Sequence, residues 1–454
     1  MSGKRNMVME VKEKWTHRGP HVDEALADVL GVNYGDERFP GISIAPMNYC
    51  KSIDYTREPE EFEREKILLY GIGGGRLDEH RYDGLPGRPG CCASLAAEEF
   101  GIKDWPQLIE ALNYVTDNDT KGKGKQFDAA DSLRAIHGVY PTDSSVGMNW
   151  MRRGFVGHIK RMRVSLNNEE RIDDKIEELS SPKAIVAGWM ERTFGKQLTI
   201  KDDPALKYIL TFSQQKANPE KPFLFGLGAM ARNLYYEHPS DYQIPENWID
   251  LALNSKHEKQ TQFITTTKKE FNNNTVIEKV KVSGRELKIA IITSNDDLVA
   301  KYARSREGDS EIALVIQIKP LDKAAGDGFI QIHPNAKFRL SLDGITLAIR
   351  TAEQIAQGTQ NPITDNKLLM AEGTLRKAPQ WYRHFDLGVY NGALSLTTKP
   401  SKIEDQILKC VIDGLQQKVY TRPVSVAFNG SFPSRTPKID PYLESQIDAL
   451  LTSI

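Results

Sequence analysis

At 454 residues, the chain is too long for one ordinary hydrophobic core, and 39% hydrophobic with 27% charged residues describes a soluble globular protein of more than one domain. Sixty basic against sixty-one acidic residues leave a net charge of -1, which excludes a global field that would attract nucleic acid or a membrane surface. Any polyanion site must therefore be local.

The four cysteines, Cys50, Cys91, Cys92 and Cys410, form no CxxC pair, so a reducing compartment is expected. The start, Met1 to Asn6, lacks an apolar signal core, and no run of eighteen apolar residues occurs. The expectation is a cytoplasmic protein with no membrane partner.

In chain order, the N-terminal third alternates short apolar runs with helical spacing. A strand ends at Lys14 to His17, a helix follows over Asp23 to Leu30, and a second strand spans Lys66 to Ile72. Helices are then expected over Cys91 to Phe100 and Trp105 to Val115. Such alternation predicts a parallel sheet with crossover helices, whose ligands gather outside the carboxyl ends of the strands. From Phe127 to about Trp248 the pattern is mostly helical, and the polar stretch Asn254 to Val276 reads as a linker. Beyond it, Glu286 to Thr293, Ile312 to Ile318 and Phe329 to His333 read as strands, and Leu342 to Ala356 and Ile403 to Leu415 as helices. There is no internal repeat.

The expected organisation is an N-terminal α/β domain over residues 1–150 and a mostly helical segment over 151–253. A polar linker over 254–280 and a smaller C-terminal α/β domain over 281–454 complete it. Two α/β lobes joined in this way leave a cleft for a substrate.

The chemistry concentrates in three places. Thr16-His17-Arg18-Gly19-Pro20-His21-Val22-Asp23-Glu24 packs two imidazoles and two carboxylates into eight positions from His17. Composition alone would produce its His-x-x-x-His-x-Asp spacing in about one chain in a hundred. Imidazole with carboxylate suits Mn, Fe, Zn or Co better than Ca or Mg, which prefer oxygen shells. The bland alternative is that His21 and Asp23 merely cap the following helix.

The second cluster, Gly73-Gly74-Gly75-Arg76-Leu77-Asp78-Glu79-His80-Arg81-Tyr82-Asp83, follows a strand. Its glycines permit a sharp turn and close backbone approach. No helix opens directly after it, so it fits the dinucleotide fingerprint poorly. The third, Asn113 to Gly122, brings Asp117 and Asp119 at the end of the Trp105 helix, and taken alone it is an ordinary polar loop. Three acid or His clusters, each after a structural element, are what a two-metal site built from strand-end loops requires.

Thr16-His17 through Asp23-Glu24-Ala25-Leu26-Ala27 resembles the first motif of the DHH phosphoesterase superfamily, most closely its Myg-type exonuclease branch. Gly74-Gly75 with Asp78-Glu79-His80 is similar to that branch's Gly-Gly stretch and Asp-His-His signature. Ser94-Leu95-Ala96 to Gly101 is similar to the helix after it, and Tyr114 to Asn118 resembles its Asp-x-x-Asp-Asn motif. The likeness covers roughly residues 8 to 137. Family members carry an Asp at the strand end before the Gly-Gly, where this chain has Tyr70-Gly71-Ile72-Gly73, and Glu79 stands at the middle of the triplet. A second register sets His80-Arg81-Tyr82-Asp83 against the family stretch, making Asp83 the signature acid and placing Gly84-Leu85 at the two His.

The resemblance implies a two-lobed α/β hydrolase that cleaves phosphodiesters with a metal-activated water, most plausibly a 3′-5′ exonuclease on RNA or short oligonucleotides. It implies one or two Mn ions, with Zn, Co or Mg as substitutes. His17, His21, Asp23, Asp78, His80 and Asp117 would be ligands, and Asp78, Glu79 and His80 the catalytic group. Arg76 and Arg81 could hold substrate phosphate through forked bonds, or be solvated surface arginines. In the second lobe, His333 and Arg339 are expected to bind substrate. Basic residues here, with Lys337, Arg350, Arg376 and Lys377, are interleaved with Trp381 and Tyr382 in a pattern that can hold a single strand. Core or interlobe packing is the other reading of the two aromatics. The alternatives to the exonuclease are a phosphatase or pyrophosphatase for small molecules, and a non-catalytic binding protein on a degenerate scaffold.

Overall fold

The five-residue strand β1 (Glu13–His17) ends on His17 because the next residues, Arg18 and Gly19, turn the chain into a helix. The computed structural model describes residues 9–50, 53–54, 57–80, 88–121, 125–166, 174–195, 203–213, 225–282, 284–305, 308–320, 329–375, 378–384, 388–391 and 401–416. Helix α1 (Val22–Tyr34) follows, burying Val22, Ala25, Leu26, Val29 and Leu30 at helical spacing, with Asp23 and Glu24 in its first turn. Strands β2 (Met47–Cys50) and β3 (Ile67–Leu69), separated by α2 (Pro59–Arg64), flank β1 in a parallel sheet of order β2-β1-β3. The parallel sheet was legible in the alternation of elements; β2, at Met47, was not.

After β3 come α3 (Cys92–Glu99), α4 (Pro106–Lys121), α5 (Ala129–Val139) and α6 (Ser144–Leu166). Helix α1 packs against α3, α4, α5 and α6. A charged contact lies inside this packing: Lys14 Nζ sits 2.7 Å from Asp28 Oδ1, and Arg152 Nη2 sits 2.5 Å from Asp28 Oδ2. Strand, helix and helix are thereby tied at one carboxylate, whose burial is tolerable because it is paired.

Helices α7 (Asp174–Leu179), α8 (Pro182–Phe194), α9 (Pro204–Ser213), α10 (Leu227–Glu237) and α11 (Gln243–Gln262) continue the same apolar core. The boundary expected at 150/151 therefore falls inside α6, and that at 253/254 inside α11. The polar linker expected over 254–280 is regular structure instead. Helix α11 runs to Gln262, a π-turn spans Phe263–Thr267, α12 covers Lys268–Asn274, and β4 begins at Thr275. The polar composition misled because these helices bury only a narrow stripe, including Ser255, Lys256, Thr267 and Phe271.

A larger mixed sheet follows, of order β4-β5-β6-β7-β10-β9-β8. It is built from β4 (Thr275–Val282), β5 (Arg285–Thr293), β6 (Ile312–Lys319), β7 (Phe329–Pro334), β8 (Gly373–Leu375), β9 (Ala378–His384) and β10 (Gly388–Asn391). Only β5 and β6 pair in parallel, joined through α13 (Asp297–Ala303). Helices α14 (Asp343–Gln357) and α16 (Ile407–Gln416) pack on one another, α15 (Asn366–Leu369) lies beside α14, and the sheet's apolar residues Leu314, Ile316, Ile332, Trp381 and Val389 face this layer. Because successive side chains of a strand alternate, Tyr382 points the other way from Trp381, into a cluster with Ile53, Phe62, Ile67, Leu69 and Ile72 beside the N-terminal sheet. The fold is α/β, with a parallel three-stranded sheet and a larger mixed one. Among the described residues, no helix is long and apolar enough to cross a membrane.

Candidate metal centre

Three side-chain triads, each with its ligand atoms within 4.8 Å of one another, gather at the strand ends: His17, His21 and Glu24; His21, Asp23 and Asp119; and Asp78, Glu79 and His80. His21 belongs to two of them, because it sits where the chain turns from β1 into α1 and faces both sides of that corner. The His17 and His21 rings lie 5.0 Å apart.

Glu24 organises the first triad. As the third residue of α1, its carboxylate reaches back so that Oε2 accepts from the His21 backbone N–H at 2.7 Å. Its Oε1 meets His17 Nε2 at 3.1 Å, while His17 Nδ1 meets the Arg18 carbonyl at 2.8 Å. Burial alone would lower the His17 pKa, but the Glu24 carboxylate outweighs it and holds the imidazole above its ordinary value. Gly71 makes room for this carboxylate; with φ of 62°, it leaves no Cβ where Glu24 lies.

Asp23 is the buried carboxylate of the second triad. Oδ2 accepts weakly from the Cys92 backbone N–H at 3.3 Å, while Oδ1 has no hydrogen-bond partner. A buried acceptor left unmade costs about 1–3 kcal/mol, more for a charge, so a ligand is wanted there. Burial, then Glu24 and Asp119, push the Asp23 pKa well above its ordinary value. Asp119 is pushed up to about 6, first by burial and then by Glu24.

In the third triad Asp78 is held firmly. Its Oδ2 accepts from Gly74 N–H at 2.7 Å, and its Oδ1 from His80 N–H at 3.0 Å, with His80 Nδ1 also 2.7 Å from Oδ1. Burial opposes a charged His80, but Glu79 and Asp78 raise its pKa well above the usual value. Glu79 Oε2 is buried without a hydrogen-bond partner, and burial first, then Asp78 and Asp119, push its pKa up to about 8. Together the triads hold five carboxylates against three imidazoles, an excess of negative charge that either protons or a cation must offset.

Of the expected ligands, His17, His21, Asp23, Asp78 and His80 are all in these triads, and Glu79 stands with them. Asp117 is not. It pairs with Lys121 at 2.5 Å on the outer side of α4, while Asp119 faces the cluster. The loop expected over Asn113 to Gly122 is helix through Lys121, and on a helix two residues are about 200° apart. The buried stripe of α4 is Leu108, Ala111, Leu112 and Val115, and Asp119 extends it by one turn, a signal present in the sequence. Glu24 was not among the expected ligands, although its place three residues after the helix cap directs its carboxylate back toward His17 and His21.

The expected substrate contacts fare differently. Arg76 is bound by Glu63, Nε to Oε1 at 2.5 Å and Nη2 to Oε2 at 2.9 Å, so its fork is already engaged. Arg81 and Asp83 lie outside the described residues. His333 contacts Gln331 at 3.1 Å and Tyr390 at 5.3 Å between rings, in the larger sheet, and it is in none of the triads. Arg339 ends a 3-10 turn in the left-handed region, exposed. Arg350 is fully buried and donates to the carbonyls of Leu369, Ala371, Gly373 and Trp381, so it builds the fold and does not reach a ligand. Arg376 and Lys377 lie outside the described residues. Tyr70 is wholly buried toward Gly31, so the strand end before the glycines supplies no ligand.

No protein-family model matches the chain, and no curated protein does.

Proposed function

We propose that the chain is a metal-dependent phosphoesterase of the DHH type that hydrolyses phosphodiester bonds, acting as a 3′-5′ exonuclease on RNA or short oligonucleotides. The observation that carries the reading is the convergence of eight imidazole and carboxylate residues from β1, α1, the segment after β3, and α4, with the buried Asp23 Oδ1 left without a hydrogen-bond partner. Mixed nitrogen and oxygen donors suit Mn, with Zn, Co or Mg as substitutes.

His17, His21, Asp23, Glu24 and Asp119 would hold one cation, and Asp78, Glu79 and His80 a second. Bound there, such cations polarise a phosphoryl oxygen and lower the pKa of water toward neutrality. The protein's own part is positioning. Glu24 fixes the His17 ring through Nε2, and Asp78, itself anchored by Gly74, fixes the His80 ring through Nδ1. The two-lobed arrangement is part of the reading, supported by Tyr382 of the larger sheet packing beside His80.

Elemental analysis of the purified protein after Mn loading, with hydrolysis of bis(p-nitrophenyl) phosphate and of a labelled short RNA, tests it. One or two Mn per chain with metal-dependent cleavage is expected; absence of bound Mn, Co and Zn overturns it. The near-zero net charge, with Arg76 already bound to Glu63, favours a small phosphoester as the second reading. Faster turnover of pyrophosphate or a dinucleotide than of a longer RNA would select it.

A further inference from the structure

Between His17 and His21 the chain turns through Arg18, Gly19 and Pro20, and the course of this corner sets how far apart the two imidazoles stand. Its backbone groups can be accounted for one by one. Arg18 N–H donates to the Cys50 carbonyl at 3.0 Å, the Arg18 carbonyl meets His17 Nδ1 at 2.8 Å, and His21 N–H donates to Glu24 Oε2 at 2.7 Å. The other two contacts come from α5 and α6. Gly19 N–H donates to Ser144 Oγ at 2.9 Å, and the Pro20 carbonyl accepts from His137 Nε2 at 3.0 Å. These partners stand 125 and 117 residues further along the chain, so nothing local enforces either bond.

Both partners are themselves held in place. Ser144, at the start of α6, is 2% exposed, and Gly147 lies one turn further along that helix. A Cβ at Gly147 would come within 2.8 Å of His137 Cε1, so the glycine is what lets α6 approach the ring. The same ring stands beside Gly19, whose φ of 61° makes the turn. Burial holds the His137 pKa down to about 4, so near pH 7 the imidazole is neutral and carries one N–H. That N–H is on Nε2, because a carbonyl oxygen only accepts. Nδ1 is buried without a hydrogen-bond partner. An apolar side chain would serve packing here without leaving a buried nitrogen unmet; what only the imidazole supplies is the bond to the residue before His21.

We propose that His137 and Ser144 are positioning residues for the metal centre: from α5 and α6 they clamp the Gly19 and Pro20 backbone and so hold His17 and His21 with their ligand atoms within 4.8 Å of one another, close enough to share one cation. This rests on the metal reading of the first triad and needs no particular reaction. It goes beyond that reading by giving the spacing of two imidazoles four residues apart to two helices far along the chain.

The test uses His137→Leu, His137→Gln and Ser144→Ala in the full chain. Mn affinity and stoichiometry are followed by calorimetry, the visible absorption of the Co(II)-loaded protein reports the coordination geometry, and urea unfolding of the metal-free protein reports stability. Mn binding weaker by about tenfold or more is expected for His137→Leu and for Ser144→Ala, the order lost when a group that orients a metal ligand is removed, with an altered Co(II) spectrum. His137→Gln, whose amide N–H can reach the same carbonyl, should recover most of the affinity. Wild-type Mn affinity and Co(II) spectrum in His137→Leu and Ser144→Ala, whatever their stability, overturn the assignment and leave the metal reading standing. A glutamine variant as weak as the leucine variant also overturns it, since the bond to Pro20 would then not be what matters. If His137→Leu does not fold, Ser144→Ala, which removes a single oxygen, decides in the same way. A wild type that binds neither Mn nor Co overturns the assignment together with the metal reading.

Discussion

Gly71 and Glu24 compete for one volume: a Cβ at Gly71 would come within 2.6 Å of Glu24 Oε1. The carboxylate that orients His17 can lie where it does only because the chain after β3 has no side chain at this point. Gly71→Ala also forces a residue with a Cβ into φ of 62°, a left-handed conformation that costs about 1–2 kcal/mol by itself. We expect Gly71→Ala to lower stability by at least that amount in urea unfolding and to weaken Mn binding, whereas Gly101→Ala, with a similar φ of 69° and nothing within 4 Å, should show the backbone cost alone.

Asp119 and Asp117 offer a paired comparison on one helix. Asp119→Asn removes a carboxylate from the triad with His21 and Asp23, and Asp117→Asn removes the carboxylate paired with Lys121, outside the triads. Titration with Mn should show affinity reduced at least about tenfold for the first, on the scale of lost ligand support, and little change for the second. The reverse ranking would place the metal where the DHH resemblance alone would put it.

Arg350 separates structure from ligand contact. Its guanidinium, with its pKa lowered to about 9 by burial and then by Arg383, donates to four backbone carbonyls that hold the segment from Leu369 to Gly373 against β9. Arg350→Leu leaves those carbonyls without these donors, so a loss of at least about 1–3 kcal/mol, the cost of one buried acceptor left unsatisfied, is expected in chemical unfolding. Oligonucleotide affinity per folded molecule should not change.

His158, which belongs to none of the triads, supplies an acid-sensitive term. Burial, then Arg161, lowers its pKa to about 3, and its Nε2 has no hydrogen-bond partner beside the Phe225 ring. The unfolded chain protonates this imidazole near pH 6.5 while the folded chain resists, so the unfolded state binds more protons between about pH 3 and 6.5 and stability is lost as the pH drops through that window. The slope is at most about 1.4 kcal/mol per pH unit for this group. Unfolding measured from pH 7 to 4.5 should be less steep for His158→Leu than for the wild type.

By itself the sequence determined the α/β class and the chemistry at the first strand end, because both are local. The alternation of β1 into an apolar helix and the spacing of His17, His21 and Asp23 need no partner to be recognised. The parallel pairing of β1 with β3 follows from the intervening helices. Helix α4 was legible too, but its end was not. Polar residues from Asn113 onward look like a loop until the stripe ending at Val115 is continued, and that error put Asp117 in the place that Asp119 takes beside His21 and Asp23. The segment from Asn254 misled in the same way, since a helix that buries only a thin stripe carries a polar composition.

Only the tertiary structure decided which of these residues meet. That Glu24 fills the space left by Gly71, that Arg350 is spent on backbone carbonyls, and that Trp381 joins a core while Tyr382 reaches His80 all depend on contacts between residues far apart in the chain. Period-two alternation already says that Trp381 and Tyr382 face opposite ways. Which face packs under helices and which lies against His80 is settled by how the two sheets bury their apolar surfaces, and that information is spread over the whole chain.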